Sequence, residues 1–548
     1  MIIDELRLIQ KQHGYLPAEH LRALAERMST PLYQIHGVAS FFPHFRLQPP
    51  PKVDLGICAD MACHLRGAPQ LVQWTAERQD ALAARGVAVR STSCLGQCDR
   101  APAAVFNETI VGGVALEALS SLIDGELTGS IPPPPPEPSP PLRIDPYAGT
   151  RTYGALQAAR AEGDPAKLLG ALKSSQLRGL GGAGFGTATK WEIVRDAPGD
   201  EKYVVCNADE SEPGTIKDRF ILDHAPHLVI EGMLMAALVT GARTGIIYIR
   251  HEYHHQKESL DHELERCRQA GLLDLGAGIP FDLTVFVSPG GYICGEESAL
   301  LEALEGRRAE PRNKPPFPGT HGLWGKPTVI NNVETLAMIP VILSKGPAWF
   351  REQGSAGASG LKFVGISGHV ARPGVYEIGM GTPAREVLER AGGVLHGRPL
   401  KAWAPSGPSS GYLPAATIDT PLDFKALAAV GSMLGSGALV ICAEGTCMLD
   451  MAANAVRFFK NESCGKCVPC RIGSAKMLDL LVGMTRGQGR REDLDLIESL
   501  SEAMTLTSIC GLGQVVPAPI RSVVHHFRDE VEAHVVRKTC PTGVCPMR

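Results

Sequence analysis

Cys464, Cys467 and Cys470 stand in ESCGKCVPCRIG, and this C-x2-C-x2-C spacing wraps three thiolates around one face of an iron-sulfur cluster from a single tight turn. A fourth ligand must come from elsewhere. Cys510, in SICGLG between two expected helices, is the candidate, because a loop at the end of a helical bundle can fold over the first. The four together predict a 4Fe-4S cluster. Zinc is the competing reading, but zinc modules pair two C-x2-C elements rather than a triplet with one remote cysteine. A second group joins Cys58 and Cys63 (C-x4-C) to Cys94 and Cys98 (C-x3-C), each pair just after an expected strand. Two loops at one sheet edge can meet, and four thiolates from two pairs suit either a 2Fe-2S cluster or an all-thiolate zinc site. Spacing leaves both open. Cys206, Cys267, Cys294, Cys442 and Cys447 read as small buried apolar residues. Cys540 and Cys545, in the terminal CPTGVC, offer two ligands and no complete site.

The stretch RGLGGAGFGTATKW places Gly179, Gly181, Gly182 and Gly184 ahead of Lys190, so backbone N–H groups can line up around a phosphate beside a positive charge. A tight strand-to-helix connection is the plainer explanation, and the run is neither a Walker loop nor GxGxxG. Soon after comes VVCNADESEPGTIKDR, where Asn207, Asp209, Glu210 and Glu212 put four polar groups on one short turn. Surface solvation does not need that density.

The elements that position these groups follow from periodicity. Three short helices are expected over 2–12, 18–28 and 31–41, then a small α/β unit with strands at 53–57 and 87–90 around a helix at 68–85. Residues 132–141 hold eight prolines in ten positions, an extended polyproline II linker of roughly 30 Å. Residues 147–345 alternate helices with apolar strands at 202–206, 244–250 and 283–287, an open α/β sheet. A β-rich insert follows over 360–430, with a strand at 362–367 and a helix at 384–391. Helices at 448–459, 472–485, 491–505 and 518–536 close the chain as a bundle. A length of 548 residues allows several such cores. A net charge of −4 gives no electrostatic reason to expect nucleic acid or an anionic membrane as partner. The amino terminus lacks a secretion pattern and no run of about 18 apolar residues occurs, so a cytoplasmic protein without membrane insertion is expected. In a reducing compartment the fifteen cysteines are not a disulfide framework, and metal ligation is the default reading, carried by the eight in the two spaced groups.

GLGGAGF, CNADESEPGTIKDR, GGYICGEESALLEALEG, RNKPPFPGTHGLWGKPTVINNVETL and ESCGKCVPCRIG occur in this order. With them the chain resembles the flavin-carrying NADH-binding chain of respiratory complex I and related diaphorases. Its first ~125 residues separately resemble the thioredoxin-like 2Fe-2S chain that partners it, here fused through the proline linker. The resemblance implies an α/β multidomain protein. It has a helical preface and thioredoxin-like 2Fe-2S domain (1–130), a linker (131–146), a Rossmann-like FMN/NADH domain (147–345), a β-grasp domain (346–430) and a helical bundle with the 4Fe-4S cluster (431–548). It further implies FMN on the glycine turn, Lys190, Asn207, Asp209, Glu210, Tyr292, Gly295, Glu296, Asn331 and Asn332, with NAD(H) over it touching Phe185, Glu212, Glu297, Lys314 and Phe317. Glu212 and Glu297 stand closest to the chemistry. One departure is Leu180, where the family usually has Arg between the glycines.

Nicotinamide trades two electrons as hydride and an iron-sulfur cluster takes one, so a flavin must stand between them. The expected reaction is hydride exchange between NAD(H) and FMN with single electrons relayed to the clusters. Neither a second substrate site nor a molybdenum or nickel signature is evident, so the electrons pass to partner chains. Fusion of the two modules and four intact N-terminal cysteines favour an NAD-dependent formate dehydrogenase with a molybdenum or tungsten chain, over an NAD-reducing hydrogenase or complex I. The reading from another class is a zinc-structured scaffold whose β-rich insert binds a partner.

Overall fold

The computed structural model describes residues 1–129, 140–276, 280–355 and 357–547. All but the last two residues of the expected polyproline stretch lie outside these.

Three helices, Ile2–His13, Ala18–Arg27 and Leu32–Ala39, precede a four-stranded sheet of β1 (Val53–Cys58), β2 (Val87–Thr92), β3 (Ala103–Phe106) and β4 (Thr109–Gly112), ordered β2-β1-β3-β4. The expected helix over 68–85 is two, Ala68–Ala76 and Gln79–Ala84, because Arg78 (φ −117°, ψ 16°) leaves the helical region between them. The β3–β4 hairpin turns at Asn107 with φ 55°, a left-handed conformation that Asn tolerates. β1 ends on Cys58, and Cys94 lies two residues past β2, the parallel neighbour of β1. Both cysteine pairs therefore leave the same edge.

The second sheet is wholly parallel: β5 (Tyr203–Ala208), β6 (Thr244–Ile249), β7 (Asp282–Val287) and β8 (Thr328–Asn332), ordered β7-β6-β5-β8. The chain steps outward from β5 to β7 and returns to the other side of β5 with β8. Strand order thus reverses between β5 and β8, and ligands of open α/β sheets bind outside the carboxyl ends of the strands at such a point. Asn207 and Asn332 sit opposite each other there. Helix Pro226–Thr240 is buried on nearly every side, as a helix trapped between a sheet and further helices must be.

The third sheet, ordered β10-β9-β13-β11-β12, comprises β9 (Leu361–Gly368), β10 (Gly374–Gly379), β11 (Leu400–Pro408), β12 (Leu413–Pro414) and β13 (Ala438–Ala443). β13 lies past residue 430, where the insert was expected to end. It is the central strand, pairing parallel with β9 and antiparallel with β11. The bundle follows with Met448–Glu462, Val468–Thr485, Glu492–Thr507, Gly511–Val515, Ala518–His526 and Arg528–Val535. The expected helix over 518–536 is broken at Phe527 (φ −127°, ψ 40°).

One core runs from the parallel sheet into the third sheet, joining Leu228 and Met233 to Phe363 and Ile441. Another joins the N-terminal Ile3 and Leu6 to Leu300, Met448 and Phe459. Both cores cross the expected domain borders. No single helix among the described residues is long and apolar enough to cross a membrane, although Lys217–His224 and Pro226–Thr240, bent by 96°, satisfy the length and composition together.

Candidate functional site at the β5/β8 switch point

A cleft of about 360 Å³ opens beyond the carboxyl ends of β5 and β8. Gly181, Gly182, Asn207, Asp209, Glu210, Glu212, Tyr292, Gly295, Glu296 and Asn332, all singled out in the sequence, line it. Gly182 has φ 139° and nothing within 4 Å of the place a Cβ would take, so its backbone faces open space that a phosphate-bearing ligand can approach. Gly181 is the reverse case, with Asn332 only 2.8 Å from its Cβ position. Asn207 Nδ2 donates to the Gly295 carbonyl at 2.8 Å. Glu212 Oε1 accepts from Ser409 N–H at 3.0 Å, and burial pushes its carboxyl up. Asp209 is pushed up to about 7 by burial, against the pull of Arg250.

Other expected residues stand around the cleft without lining it. Lys190 Nζ donates to the Ile330 carbonyl at 3.1 Å and pairs with Glu297 at 3.4 Å. Lys314 Nζ reaches Glu296 at 2.7 Å and Glu297 at 2.9 Å, and the two lysines hold the Glu297 carboxyl below its ordinary range despite burial. Asn331 Oδ1 accepts from Trp191 Nε1 at 2.8 Å in the core. Phe185 and Phe317 are 50% and 58% exposed, large apolar rings left facing solvent. Gly179 closes the turn by donating to Phe185 O at 2.7 Å. Gly184, at φ 64°, is backed by the Phe424 ring of the insert, over which Arg178 stacks at 4.4 Å. Leu180 packs into the core, its N–H donating to Thr335 Oγ1 at 2.9 Å. Leu180 is not among the residues that line the cleft.

The cleft also has parts that sequence reasoning missed. Its floor is a buried charge network in which Lys217 Nζ pairs with Asp218 at 2.6 Å and Glu334 at 3.1 Å, while Lys362 of β9 pairs with Glu334 at 2.6 Å. Asn332 donates to Asp218 at 2.6 Å and accepts from Lys217 at 3.1 Å. Glu210 is committed to the Asp218 and Arg219 N–H groups and Tyr253 OH, with burial pushing it up to about 7. In sequence, KDR looks like a solvated helix start. Its presence in the same motif as Glu210 was the available signal. The insert supplies Ser406, Ser409, Met433, Gly435 and Ser436 to the wall.

The far wall is Gly511, Leu512 and Val515, the helix capped by Cys510. Cys464, Cys467 and Cys470 occupy the turn between Met448–Glu462 and Val468–Thr485 and the first residues of the second. Glu462, at the end of the first, accepts from Tyr292 N–H at 2.7 Å. Cys94 and Cys98 Sγ lie 3.4 Å apart, and Cys58 faces both Cys63 and Cys94. None of these eight cysteines joins a set of three or more ligand atoms within 4.8 Å. A zinc ion, with bonds of about 2.3 Å, gathers its four sulfurs to about 3.8 Å. The sulfurs approach in pairs without three or four converging on one point, which fits clusters, whose irons separate the ligand sets.

The N-terminal cluster loop docks on the cleft. Gly214 N–H, from the turn carrying Glu212, donates to Cys98 Sγ at 3.2 Å. Arg219 holds Asp99 at 2.6 Å and the Gly96 carbonyl, and Arg250 bridges the Cys94 carbonyl, at 2.7 Å, to that of Glu210. A larger cleft of about 660 Å³ between the N-terminal domain and helix Met448–Glu462 is lined by Cys94 and charged side chains, and the glycine turn does not reach it.

Family comparison agrees segment by segment: residues 1–126 match the thioredoxin-like [2Fe-2S] ferredoxin, 172–341 the Nuo51 FMN-binding domain, 363–407 the SLBB domain and 450–534 the NADH-ubiquinone oxidoreductase-F iron-sulfur binding region. The F 2 chain of the NADH-quinone oxidoreductase of Rhizobium meliloti is 43% identical over 399 residues, 72% of this chain and 95% of the relative. The HndC chain of the NADP-reducing hydrogenase of Solidesulfovibrio fructosivorans is 42% identical over 74% of this chain and 83% of its own length. A chain in the crystal structure of an NAD+-reducing [NiFe]-hydrogenase in the H2-reduced state superposes with a TM-score of 0.87 at 33% identity, covering 97% of this chain and 92% of the other. With its FMN, 2Fe-2S and 4Fe-4S regions in these places, the chain belongs to the family of F-type chains of NADH-quinone oxidoreductases and the related diaphorase chains of hydrogenases.

Proposed function

We propose that the cleft at the β5/β8 switch point is where this diaphorase chain exchanges hydride with NAD(H), and that the chain serves an NAD-dependent formate dehydrogenase through a molybdenum- or tungsten-bearing partner. The observation that carries the first part is the composition of one cleft, with the glycine turn on one wall and the Cys510 helix on the other. Bound FMN supplies the exchange between two-electron hydride and one-electron clusters. The chain's own residues do the rest. Gly182 admits the phosphate to the backbone, Gly181 lets the turn pack against Asn332, and Asn207 and Asn332, fixed by Gly295, Lys217 and Asp218, present polar edges at the strand ends. Glu212 and Glu297 remain as acceptors for ribose hydroxyls, and Phe185 and Phe317 gain cover by stacking on a nicotinamide or adenine ring. Anaerobic NADH titration of the flavin-replete protein should bleach the flavin band; no bleaching would sink this reading.

The formate dehydrogenase assignment rests on the fusion of the two modules in one chain and on the four N-terminal cysteines. A second reading, the diaphorase of an NAD-reducing hydrogenase, is supported by the 97% coverage of this chain in the comparison with that enzyme. Metals in the complex purified through this chain separate them. Molybdenum or tungsten favours the first, and nickel the second.

A further inference from the structure

Cys540 and Cys545 form no site in sequence, and Cys447 reads there as core filler. The fold brings all three to one place. Cys447, His534, Cys540 and Cys545 offer four ligand atoms all within 4.8 Å of one another, with three of the residues buried and Cys540 partly so. Cys447 Sγ lies 3.4 Å from Cys545 Sγ and 3.5 Å from His534 Nε2. We propose that these four residues bind one zinc ion in a closed tetrahedral site, separate from both iron-sulfur clusters.

The separation of the ligand atoms argues for a single ion. Bonds of about 2.3 Å from sulfur and 2.0–2.1 Å from nitrogen leave the ligands of a tetrahedral ion under about 4 Å apart. The four atoms already all lie within 4.8 Å of one another, whereas neither group of cluster cysteines gathers three sulfurs that closely. Three thiolates and one imidazole select a soft or borderline ion, and four protein ligands leave no position for water or substrate, which is the pattern of structural zinc. A Cys447–Cys545 disulfide would use two of the four and leave the Cys540 thiol and the His534 ring without purpose.

The surroundings are built for the ion. His534 Nδ1 lies 2.8 Å from the Glu530 carbonyl, which can only accept, so Nδ1 carries the proton and Nε2 turns its lone pair toward Cys447. Such an outer hydrogen bond fixes the tautomer of a metal-bound histidine. Glu530 is itself anchored, its side chain accepting from Met448 N–H at 2.7 Å and from Lys401 of β11 at 2.6 Å. Cys540 and Cys545 flank a turn closed by Gly543 N–H donating to the Cys540 carbonyl at 3.0 Å, with Gly543 at φ 69°. Gly suits that left-handed position.

The location says what the ion does. Cys447 caps helix Met448–Glu462, whose other end leads into the cluster triplet about 22 Å away along its 15 residues. His534 is in the last helix, and Cys540 and Cys545 are in the tail after it. Zinc here ties the tail to the junction of β13 and the helix that carries the 4Fe-4S loop.

The test is metal analysis of the purified full chain with its flavin and clusters. One zinc per chain is expected, lost in the Cys540→Ser/Cys545→Ser variant while iron and flavin contents hold. Zinc retained by that variant, or a wild-type chain without zinc in which mass spectrometry finds a Cys447–Cys545 disulfide, overturns the proposal. Should the double variant fail to fold, His534→Cys decides. It keeps four soft ligands, so it should retain one zinc, and cobalt grown in its place should show stronger thiolate-to-metal charge-transfer absorption than in wild type. A folded His534→Cys chain with no zinc and no such absorption overturns the proposal equally.

Discussion

Gly181 has no room for a methyl group, because its Cβ position is 2.8 Å from the Cβ of Asn332, a contact tighter than van der Waals packing allows. Asn332 cannot yield freely, since its amide is held by Lys217 and Asp218. Gly181→Ala should therefore displace the glycine turn and lower FMN content per chain, while iron content stays at the wild-type value. A variant with full flavin would show that the turn does not hold the phosphate. Glu212 tests a different contact. Its carboxylate already accepts from Ser409 N–H and is hydrogen-bonded to the Tyr292 side chain, and its charge and remaining acceptor capacity are what it offers NAD(H). A hydrogen bond to a charged group is worth about 1.5–3 kcal/mol, so Glu212→Gln should raise KM for NADH roughly ten- to a hundredfold with flavin retained. A KM within twofold of wild type would remove Glu212 from the nicotinamide site.

At the scale of elements, helices Pro226–Thr240 and Val333–Lys345 approach so closely at Gly232 that a Cβ there meets the Leu336 carbonyl oxygen at 2.2 Å. Backbone does not move aside as a side-chain tip does. Gly232→Ala should cost at least about 1–3 kcal/mol, read as a lower thermal midpoint, and should also disturb flavin binding because Val333–Lys345 starts directly after Asn332. A midpoint unchanged from wild type would contradict the close packing. The neighbouring Glu231 adds a pH dependence. It is fully buried, accepts from Tyr147 OH and Leu156 N–H at 2.9 Å each, and has no partner for Oε2 among the described residues. Asp145 and His227 are the other titratable groups nearby. Burial pushes the carboxyl from 4.5 up to about 7, so in this window the folded chain holds a proton that the unfolded chain releases. Stability therefore falls as pH rises through the window, by about 3 kcal/mol at most. Glu231→Gln does not titrate, so its thermal midpoint should gain on wild type from about pH 5 to about pH 8; a constant gap would refute the assigned shift. The sequence shows both helices by their apolar runs, but not that position 232 is their crossing point. Strand β8 was equally hidden, because TVINN is five residues inside a motif read for its polar groups.

Across the whole molecule, what was legible divides by distance along the chain. Cysteine spacing and the glycine and acidic turns are local, and local pattern exposes them. The pairs that assemble the site are not: Arg219 meets Asp99 across 120 residues and Arg250 meets Cys94 across 156, and a lone arginine at the end of a strand carries no mark of its partner. Composition likewise divided the chain at residue 430, whereas the third sheet is completed by β13 and its residues reach back to the cleft wall. The N-terminal domain is held by these long-range contacts in several places. Arg219 and Arg250 grip its cluster loop, Asn454 accepts from Met61 N–H at 2.8 Å and donates to Ala59 O at 2.7 Å, and Asp450 pairs with His64 at 2.6 Å. The docking surface therefore does not depend on the covalent link between the modules. Residues 1–130 and 140–548 coexpressed as two chains should copurify with both kinds of cluster. Arg219 is buried against Asp99, and removing one partner of a buried pair costs about 3–5 kcal/mol, so Arg219→Ala in the split protein should weaken association by at least roughly a hundredfold. Exposed Arg78, which pairs with its neighbour Glu77, is the control and should leave association unchanged. Equal retention of the N-terminal piece by the Arg219 and Arg78 variants would mean that the Arg219–Asp99 pair does not hold the two redox modules together.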